Sequence, residues 1–160
     1  MKYPLKNHIL ILSFLLSISV QVKSQESANK ASGFSSIFKE QADSLKEKFS
    51  KQGFIVVKEA KMNMESEYEM PVIVPLKEGT SYEFAFIGDR SSKLYEVRMY
   101  DENEKEVVYL KQVSDGTENN VISYPFIPQF SSYHIIKPLQ INKMKKKNIC
   151  GYIMMFKKVN

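Results

Sequence analysis

Two side chains outside the N-terminal region carry the usual chemistry of a nucleophile or a general base. Cys150 is the single cysteine, and His134 is the one histidine beyond residue 24. One thiol allows no internal disulfide, and one Cys with one His falls short of the four N or S ligands of a structural zinc site. No nucleophile motif surrounds Cys150, which is interpreted as a small buried hydrophobe at the start of a strand. The residues favour a non-catalytic protein, and a small hydrolase or thiol enzyme using a Cys150/His134 dyad is the alternative.

An aromatic segment interrupted by prolines is the most unusual local feature, Tyr124-Pro125-Phe126-Ile127-Pro128-Gln129-Phe130 followed by Tyr133. Prolines hold a backbone extended, and aromatic rings offer stacking surfaces to a sugar or a peptide. The predicted ligand-binding residues are therefore Tyr124, Phe126, Phe130 and Tyr133. The alternative is that these rings fasten a loop onto the core.

Lysines cluster near the C-terminus, and the predicted basic patch consists of Lys143, Lys145, Lys146 and Lys147, together with Lys157 and Lys158. Such a patch predicts a weak contact with anionic lipid, lipopolysaccharide or acidic glycan. The alternative is a lysine-rich turn between two apolar strands that discourages aggregation.

Two acidic segments offer oxygen ligands, residues 101–104 (Asp-Glu-Asn-Glu) and residues 115–120 (Asp-Gly-Thr-Glu-Asn-Asn). Calcium takes six to eight oxygens, but neither segment has the ligand order of an EF-hand. Segments of this composition are commonly turns. We therefore predict no metal and no cofactor.

The first 24 residues have the layout of a secretory signal peptide. Lys2 and Lys6 precede a twelve-residue apolar stretch from Ile9 to Val20, and cleavage is predicted between Ser24 and Gln25. Removing the three lysines of this leader lowers the formal charge from +5 to +2. The sequence predicts a secreted protein, periplasmic or extracellular, without a transmembrane segment after cleavage, so nucleic acid is not an expected partner. An uncleaved anchor is the alternative.

A single amphipathic helix is predicted over residues 34–53, after a flexible leader at residues 25–33. Apolar residues recur with a helical period, at Phe34, Ile37, Phe38, Ala42, Leu45 and Phe49. Ser35 or Ser36 is expected to cap the start, and Gly53 is expected to end the helix in a left-handed conformation.

Residues 54–160 are predicted to form a β-sandwich. Eight segments alternate or run apolar, with turn signals at intervals of roughly ten residues: 54–64, 72–74, 82–86, 94–100, 105–112, 121–127, 133–141 and 149–159. The second segment is flanked by Pro71 and Pro75 and should be an edge strand, the fourth and fifth should form a hairpin, and the last should be central. The predicted fold is a single antiparallel β-sandwich, or jelly roll, with one N-terminal helix.

Three segments resemble the bacterial pre-peptidase C-terminal (PPC) family of β-sandwich domains. They are Val74 to Phe84 with its Lys-Glu-Gly turn, Val97 to Asp101 ending in Tyr-Asp, and the closing residues Gly151 to Met154. The chain departs from that family at the aspartate-rich strand, and it has Ser131 to His134 in place of a Gly-Thr-Tyr strand. The resemblance implies the sandwich fold and a non-catalytic role, without the family's calcium site.

Composition and motifs together predict a non-catalytic binding or protein-interaction module of the bacterial cell envelope. Its length of 160 residues suits one domain, and its 26% charged and 12% aromatic content excludes a disordered chain. The expected partner is an envelope protein or a glycan.

Overall fold

A computed structural model of the chain describes residues 32–114 and 119–159. The predicted signal peptide, most of the predicted leader and the first four residues of the second acidic segment lie outside this part. No helix in the described ranges is long and apolar enough to cross a membrane.

The helix, α1, covers Ser32–Lys51. It begins two residues before the predicted start. The apolar stripe did not indicate residues 32 and 33, because they are small or polar and add nothing to it. Ser35 and Ser36 therefore lie inside the helix and not at its first residue, where the cap was expected. Its C-terminal end follows the prediction: Gly53 has a φ of 79° and donates its N–H to the carbonyl of Ser50 at 2.9 Å.

Eight strands follow α1: β1 Phe54–Met64, β2 Val72–Leu76, β3 Tyr82–Ile87, β4 Ser92–Tyr100, β5 Glu106–Val113, β6 Val121–Phe126, β7 Ser132–Asn142 and β8 Ile149–Lys158. They form two four-stranded antiparallel sheets, with the orders β1-β8-β3-β6 and β2-β7-β4-β5. This arrangement confirms the predicted sandwich with one helix. The β4/β5 hairpin, the edge position of β2 and the inner position of β8 are confirmed as well.

The core lies between the sheets, and a second apolar layer lies under α1. The inner faces contribute fully buried side chains such as Phe84, Phe86, Tyr95, Val97 and Met99. On the outer face of the β1-β8-β3-β6 sheet, Phe38, Ala42 and Phe49 of α1 pack with Ala85, Ile87, Met154 and Phe156. Strand β8 is therefore buried on both faces, which explains its nearly continuous apolar sequence.

Each of the four edge strands carries an irregularity. Pro75 in β2 and Pro125 in β6 have no N–H to donate. In β1, Val56 pairs with Phe156 and Lys58 with Met155, so that Val57 is the extra residue of a bulge. In β5, Val107 is extra in the same way, between residues paired with Met99 and Tyr100.

Candidate functional site

A groove opens at one end of the sandwich, where the β4/β5 turn faces the loop between β6 and β7. Its volume is about 610 Å³, within the range of small-molecule sites. It is lined by Asp101, Glu102, Asn103, Lys105, Glu106, Val107, Phe126, Ile127, Gln129, Phe130, Ser132 and His134. We refer to it as the end groove.

One wall of the end groove is acidic, because the β4/β5 turn contributes Asp101, Glu102 and Glu106 against the single cation Lys105. The turn is ordered by its own aspartate. Oδ1 of Asp101 accepts hydrogen bonds from the backbone N–H of Asn103 at 2.9 Å and of Lys105 at 3.0 Å. This geometry fixes the positions from which Glu102 and Glu106 extend.

The opposite wall is aromatic and apolar, and it comes from the β6/β7 loop. Phe130 is 71% exposed, although it is a large apolar side chain. The loop is held against the β2/β3 turn by two hydrogen bonds. The N–H of Gly79 donates to the carbonyl of Pro128 at 3.0 Å, and the N–H of Glu78 donates to Oγ of Ser131 at 2.9 Å. Phe130 is thus exposed on a loop that its neighbours anchor.

The imidazole of His134 also lines the end groove. The residue is only 3% exposed, and its ring meets that of Phe126 edge-on with centroids 5.4 Å apart. Its Nδ1 has no hydrogen-bond partner among the described residues. An unpaired buried polar atom raises the free energy of the folded state, so a ligand that pairs with this imidazole would gain from it.

Only two of the four predicted ligand-binding aromatics line the end groove, Phe126 and Phe130. Tyr124 is 7% exposed and stacks on Phe84 with ring centroids 5.3 Å apart, and burial raises the pKa of its hydroxyl well above the usual range. Tyr133 is 65% exposed but lies on the outer face of its sheet, because neighbouring residues of β7 point to opposite faces. The prediction of one four-ring platform is wrong.

The predicted basic patch divides into two groups. Lys143, Lys145, Lys146 and Lys147 are exposed in the β7/β8 turn. Lys157 and Lys158 lie at the other end of β8, roughly 30 Å away at about 3.3 Å per residue. The turn is also partly neutralised, since Lys145 lies 3.7 Å from Glu67 and Lys147 lies 3.9 Å from Glu65. A single patch of six lysines does not form.

Cys150 and His134 are not brought together. The backbone carbonyl of Cys150 accepts a hydrogen bond from Gln140 at 3.0 Å, and Gln140 is six residues from His134 along β7, roughly 20 Å. Cys150 is partly exposed rather than buried. Partial burial of the thiol disfavours its charged form and raises its pKa, which lowers the fraction of reactive thiolate.

No group of three or more His, Cys, Asp or Glu side chains within residues 32–114 and 119–159 is placed to hold a metal ion. In the described acidic turn, one oxygen of Asp101 is already bonded to two backbone N–H groups. The carboxylates of the end groove are therefore treated as hydrogen-bond acceptors and charges rather than as ligands of an ion.

The outer face of the β2-β7-β4-β5 sheet carries an ion-pair cluster that the sequence did not indicate. Glu96, 8% exposed, lies 3.2 Å from Arg98 and 3.3 Å from Lys111. The Tyr109 hydroxyl donates to Glu96 at 3.4 Å, and the Arg98 guanidinium lies over the Tyr109 ring. These groups already bind one another, so the end groove is the better candidate for a ligand.

The acidic wall is the part of the site that sequence reasoning missed. The sequence indicates Asp101 and Glu102 only as oxygen donors in a turn, and no local pattern distinguishes Glu106. The alternation of side chains along a strand could have placed Tyr124 and Phe126 on the same face of β6. It could also have placed Tyr133 and His134 on opposite faces of β7. Nothing local in the sequence places the β4/β5 turn across from Phe130, because that proximity depends on how the two sheets pack.

No protein-family model and no curated protein matches the sequence. The resemblance to the PPC domains therefore stays a prediction. Similar solved structures include AlgX from Pseudomonas aeruginosa, which is 12% identical with a TM-score of 0.47, over 66% of this chain and 27% of AlgX.

A glycosylation-associated protein complex (Gap123) from Streptococcus agalactiae is 15% identical with a TM-score of 0.36, over 68% of this chain and 40% of the matched one. MgGH51, an α-L-arabinofuranosidase, is 8% identical with a TM-score of 0.34, over 66% of this chain and 23% of that enzyme. The chain spans less than half of each of these proteins, and similarities of this size carry no argument about its activity or ligands.

Proposed function

We propose that the protein is a non-catalytic binding module, exported to the bacterial cell envelope, and that it binds a glycan in the end groove. The observation that carries the proposal is the pairing of an exposed aromatic ring, Phe130, with a facing wall of carboxylate and amide groups. Sugars present apolar C–H faces and polar hydroxyl edges. A site with one aromatic wall and one hydrogen-bonding wall matches both.

The polar groups of the end groove suit the recognition of hydroxyls. Carboxylates accept hydrogen bonds, and the amides of Asn103 and Gln129 both donate and accept. Phe130 is anchored through the β6/β7 loop, so less conformational entropy is lost when a ring stacks on it.

Two features support a non-catalytic role. The thiol and the imidazole lie far apart, and the raised pKa of Cys150 disfavours the thiolate that a nucleophile requires. The acids that line the groove are gathered on one wall, whereas a glycosidase needs two carboxyl groups that flank the scissile bond.

A glycan array with the full chain tests this proposal. Phe130→Ala should weaken binding to the recognised glycan by about fivefold or more, since stacking on an aromatic ring contributes on the order of 1 kcal/mol or more. Tyr133→Ala is the matched control, because Tyr133 is almost as exposed and lies outside the end groove.

An equal loss in both variants would move the site away from the end groove. The alternative ligand is an envelope protein. It would be indicated if no glycan bound while an envelope protein co-purified with the wild type and not with Phe130→Ala.

A further inference from the structure

We infer that the end groove selects glycans with free amino groups, such as oligomers of glucosamine, over N-acetylated or neutral glycans. This inference rests on the proposed function and specifies its ligand class. It comes from three features of the groove: its charge, its aromatic wall and its unpartnered histidine.

The charge of the groove is unbalanced. Its lining includes three carboxylates, Asp101, Glu102 and Glu106, and one ammonium group, Lys105. None of the three carboxylates forms a salt bridge with a described residue, whereas Glu59, Glu69 and Glu96 each lie within 3.3 Å of a Lys or Arg. The hydroxyl of Tyr100 donates a hydrogen bond to Glu106 at 3.3 Å. A cationic ligand would supply the charge that this wall lacks.

The aromatic wall favours the same ligand class. An ammonium group within about 6 Å of a ring centroid is attracted by the π face, and Phe130 is an exposed aromatic ring in the lining of the groove. A glucosamine unit combines an ammonium group with the C–H face of a pyranose. One residue of the ligand can thus contact both walls.

His134 is an independent indication that the groove accommodates a polar ligand. Its side chain is 97% buried, it lines the groove, and its Nδ1 lacks a partner among the described residues. A hydroxyl next to the amino group could pair with this imidazole, because a sugar carries donors and acceptors on adjacent carbons.

N-acetylation would remove these advantages. It replaces the ammonium group by a neutral amide and adds a methyl group that would face the carboxylates. The expected discrimination is therefore a difference in charge pairing, and it should weaken with added salt because the groove is open to solvent.

The test is calorimetric titration of the full chain with a glucosamine hexamer and an N-acetylglucosamine hexamer, with pentalysine as a third probe. The glucosamine hexamer should bind at least about tenfold more tightly than the acetylated one. The double variant Glu102→Gln and Glu106→Gln should remove this preference. Glu104→Gln is the matched control, since Glu104 belongs to the same turn and does not line the groove.

Each outcome decides the inference. Preference for the amine that disappears in the double variant and persists in Glu104→Gln supports it. Equal binding of both hexamers overturns it and leaves the glycan proposal in place. Binding of neither hexamer also overturns it, and the glycan array then decides the glycan proposal separately. Pentalysine that binds as tightly as the glucosamine hexamer, and is lost in the same double variant, overturns it in favour of a basic peptide.

Discussion

Gln140 lies inside the sandwich with none of its surface exposed, and both ends of its amide are bonded. Its Oε1 accepts hydrogen bonds from the N–H of Asp89 at 2.8 Å and from the hydroxyl of Ser92 at 3.1 Å. Its Nε2 donates to the carbonyl of Cys150 at 3.0 Å. One side chain thus joins β7, β8 and the β3/β4 loop at the end of the sandwich opposite the end groove.

Gln140→Leu should lower the free energy of unfolding by about 3 kcal/mol. The substitution keeps the volume but leaves up to three polar groups without a partner, and each unpaired buried group costs on the order of 1 to 3 kcal/mol. Chemical denaturation measures the loss. Gln52→Leu, at an exposed position, is the control and should change stability by less than about 0.5 kcal/mol. Equal stability of the two variants would contradict the role assigned to the amide.

For single residues, the sequence indicates which side chains are buried or exposed, but it does not indicate which distant residues they contact. Alternation along β7 places Gln140 on the same face as Ile136, which hints at burial. Its partners Asp89 and Ser92 are about fifty residues away in sequence. The same difficulty applies to the end groove. The sequence places Phe130 in an aromatic segment, but nothing local in it indicates the carboxylates that face this ring.

Helix α1 is fastened to the sandwich by a polar contact at the border of its apolar layer. Nζ of Lys46 lies 2.7 Å from Oε2 of Glu59 on β1. The hydrogen bond from Lys46 is the main reason that the pKa of Glu59 lies below its ordinary value of 4.5, and a hydrogen bond from Tyr152 adds to it against the opposing effect of burial.

Glu59→Gln should lower the free energy of unfolding at pH 7 by less than about 1 kcal/mol, since both partners are about one third exposed. A carboxyl whose pKa is lower in the folded state stabilises the protein above the unfolded pKa. This contribution is lost as the pH falls through the folded value. Denaturation curves at pH 7 and at successively lower pH should therefore show the variant and the wild type converging below pH 4.5.

The control for this contact is Glu47→Gln, whose partner Lys51 lies in the same helix and not on a strand. It should leave the docking of α1 unchanged, although it removes a pair of similar length. A difference between Glu59→Gln and the wild type that grew as the pH fell would be the wrong sign and would exclude the Lys46 contact as its cause.

The elements themselves were predictable because their signals are local. A helical period marks α1, and alternation marks strands such as β3. The sheet order β1-β8-β3-β6 was not predictable, because it joins the first strand to the last. Such pairings depend on which apolar faces fit together over the whole chain.

The described residues form three layers, α1 and the two sheets, since α1 covers only the outer face of the β1-β8-β3-β6 sheet. Phe49 connects the helix layer to the sheet below it. It is 3% exposed. The centroid of its ring lies 4.8 Å from the ring centroid of Phe156 and 6.1 Å from that of Phe54. The stability of the fold therefore depends on the helix layer, although α1 contributes few side chains to it.

Phe49→Ala should lower the free energy of unfolding by about 3 to 5 kcal/mol, the usual cost of emptying a buried phenylalanine site. Phe130→Ala serves as the control and should change stability by less than about 0.5 kcal/mol, because that ring is exposed. Circular dichroism during denaturation should show helix and strands lost together. A helix that melted first, with the sandwich intact, would show that α1 is an appendage and not a layer of the fold.

At the molecular scale the architecture could be derived from the sequence, but the end groove could not. The groove exists where the β4/β5 turn and the β6/β7 loop reach the same end of the sandwich. Their separation is set by the packing of the two sheets, which no local pattern in the sequence encodes.

The prolines and bulges in the edge strands affect how the chain behaves while it is still partly folded. A strand edge with free N–H and C=O groups is a template on which another copy can add, and the risk is greatest when many partly folded copies are present. Pro75, Pro125 and the bulges at Val57 and Val107 interrupt all four such templates. Such interruptions disfavour the addition of a second copy at a strand edge, and they therefore favour intramolecular folding over fibril growth.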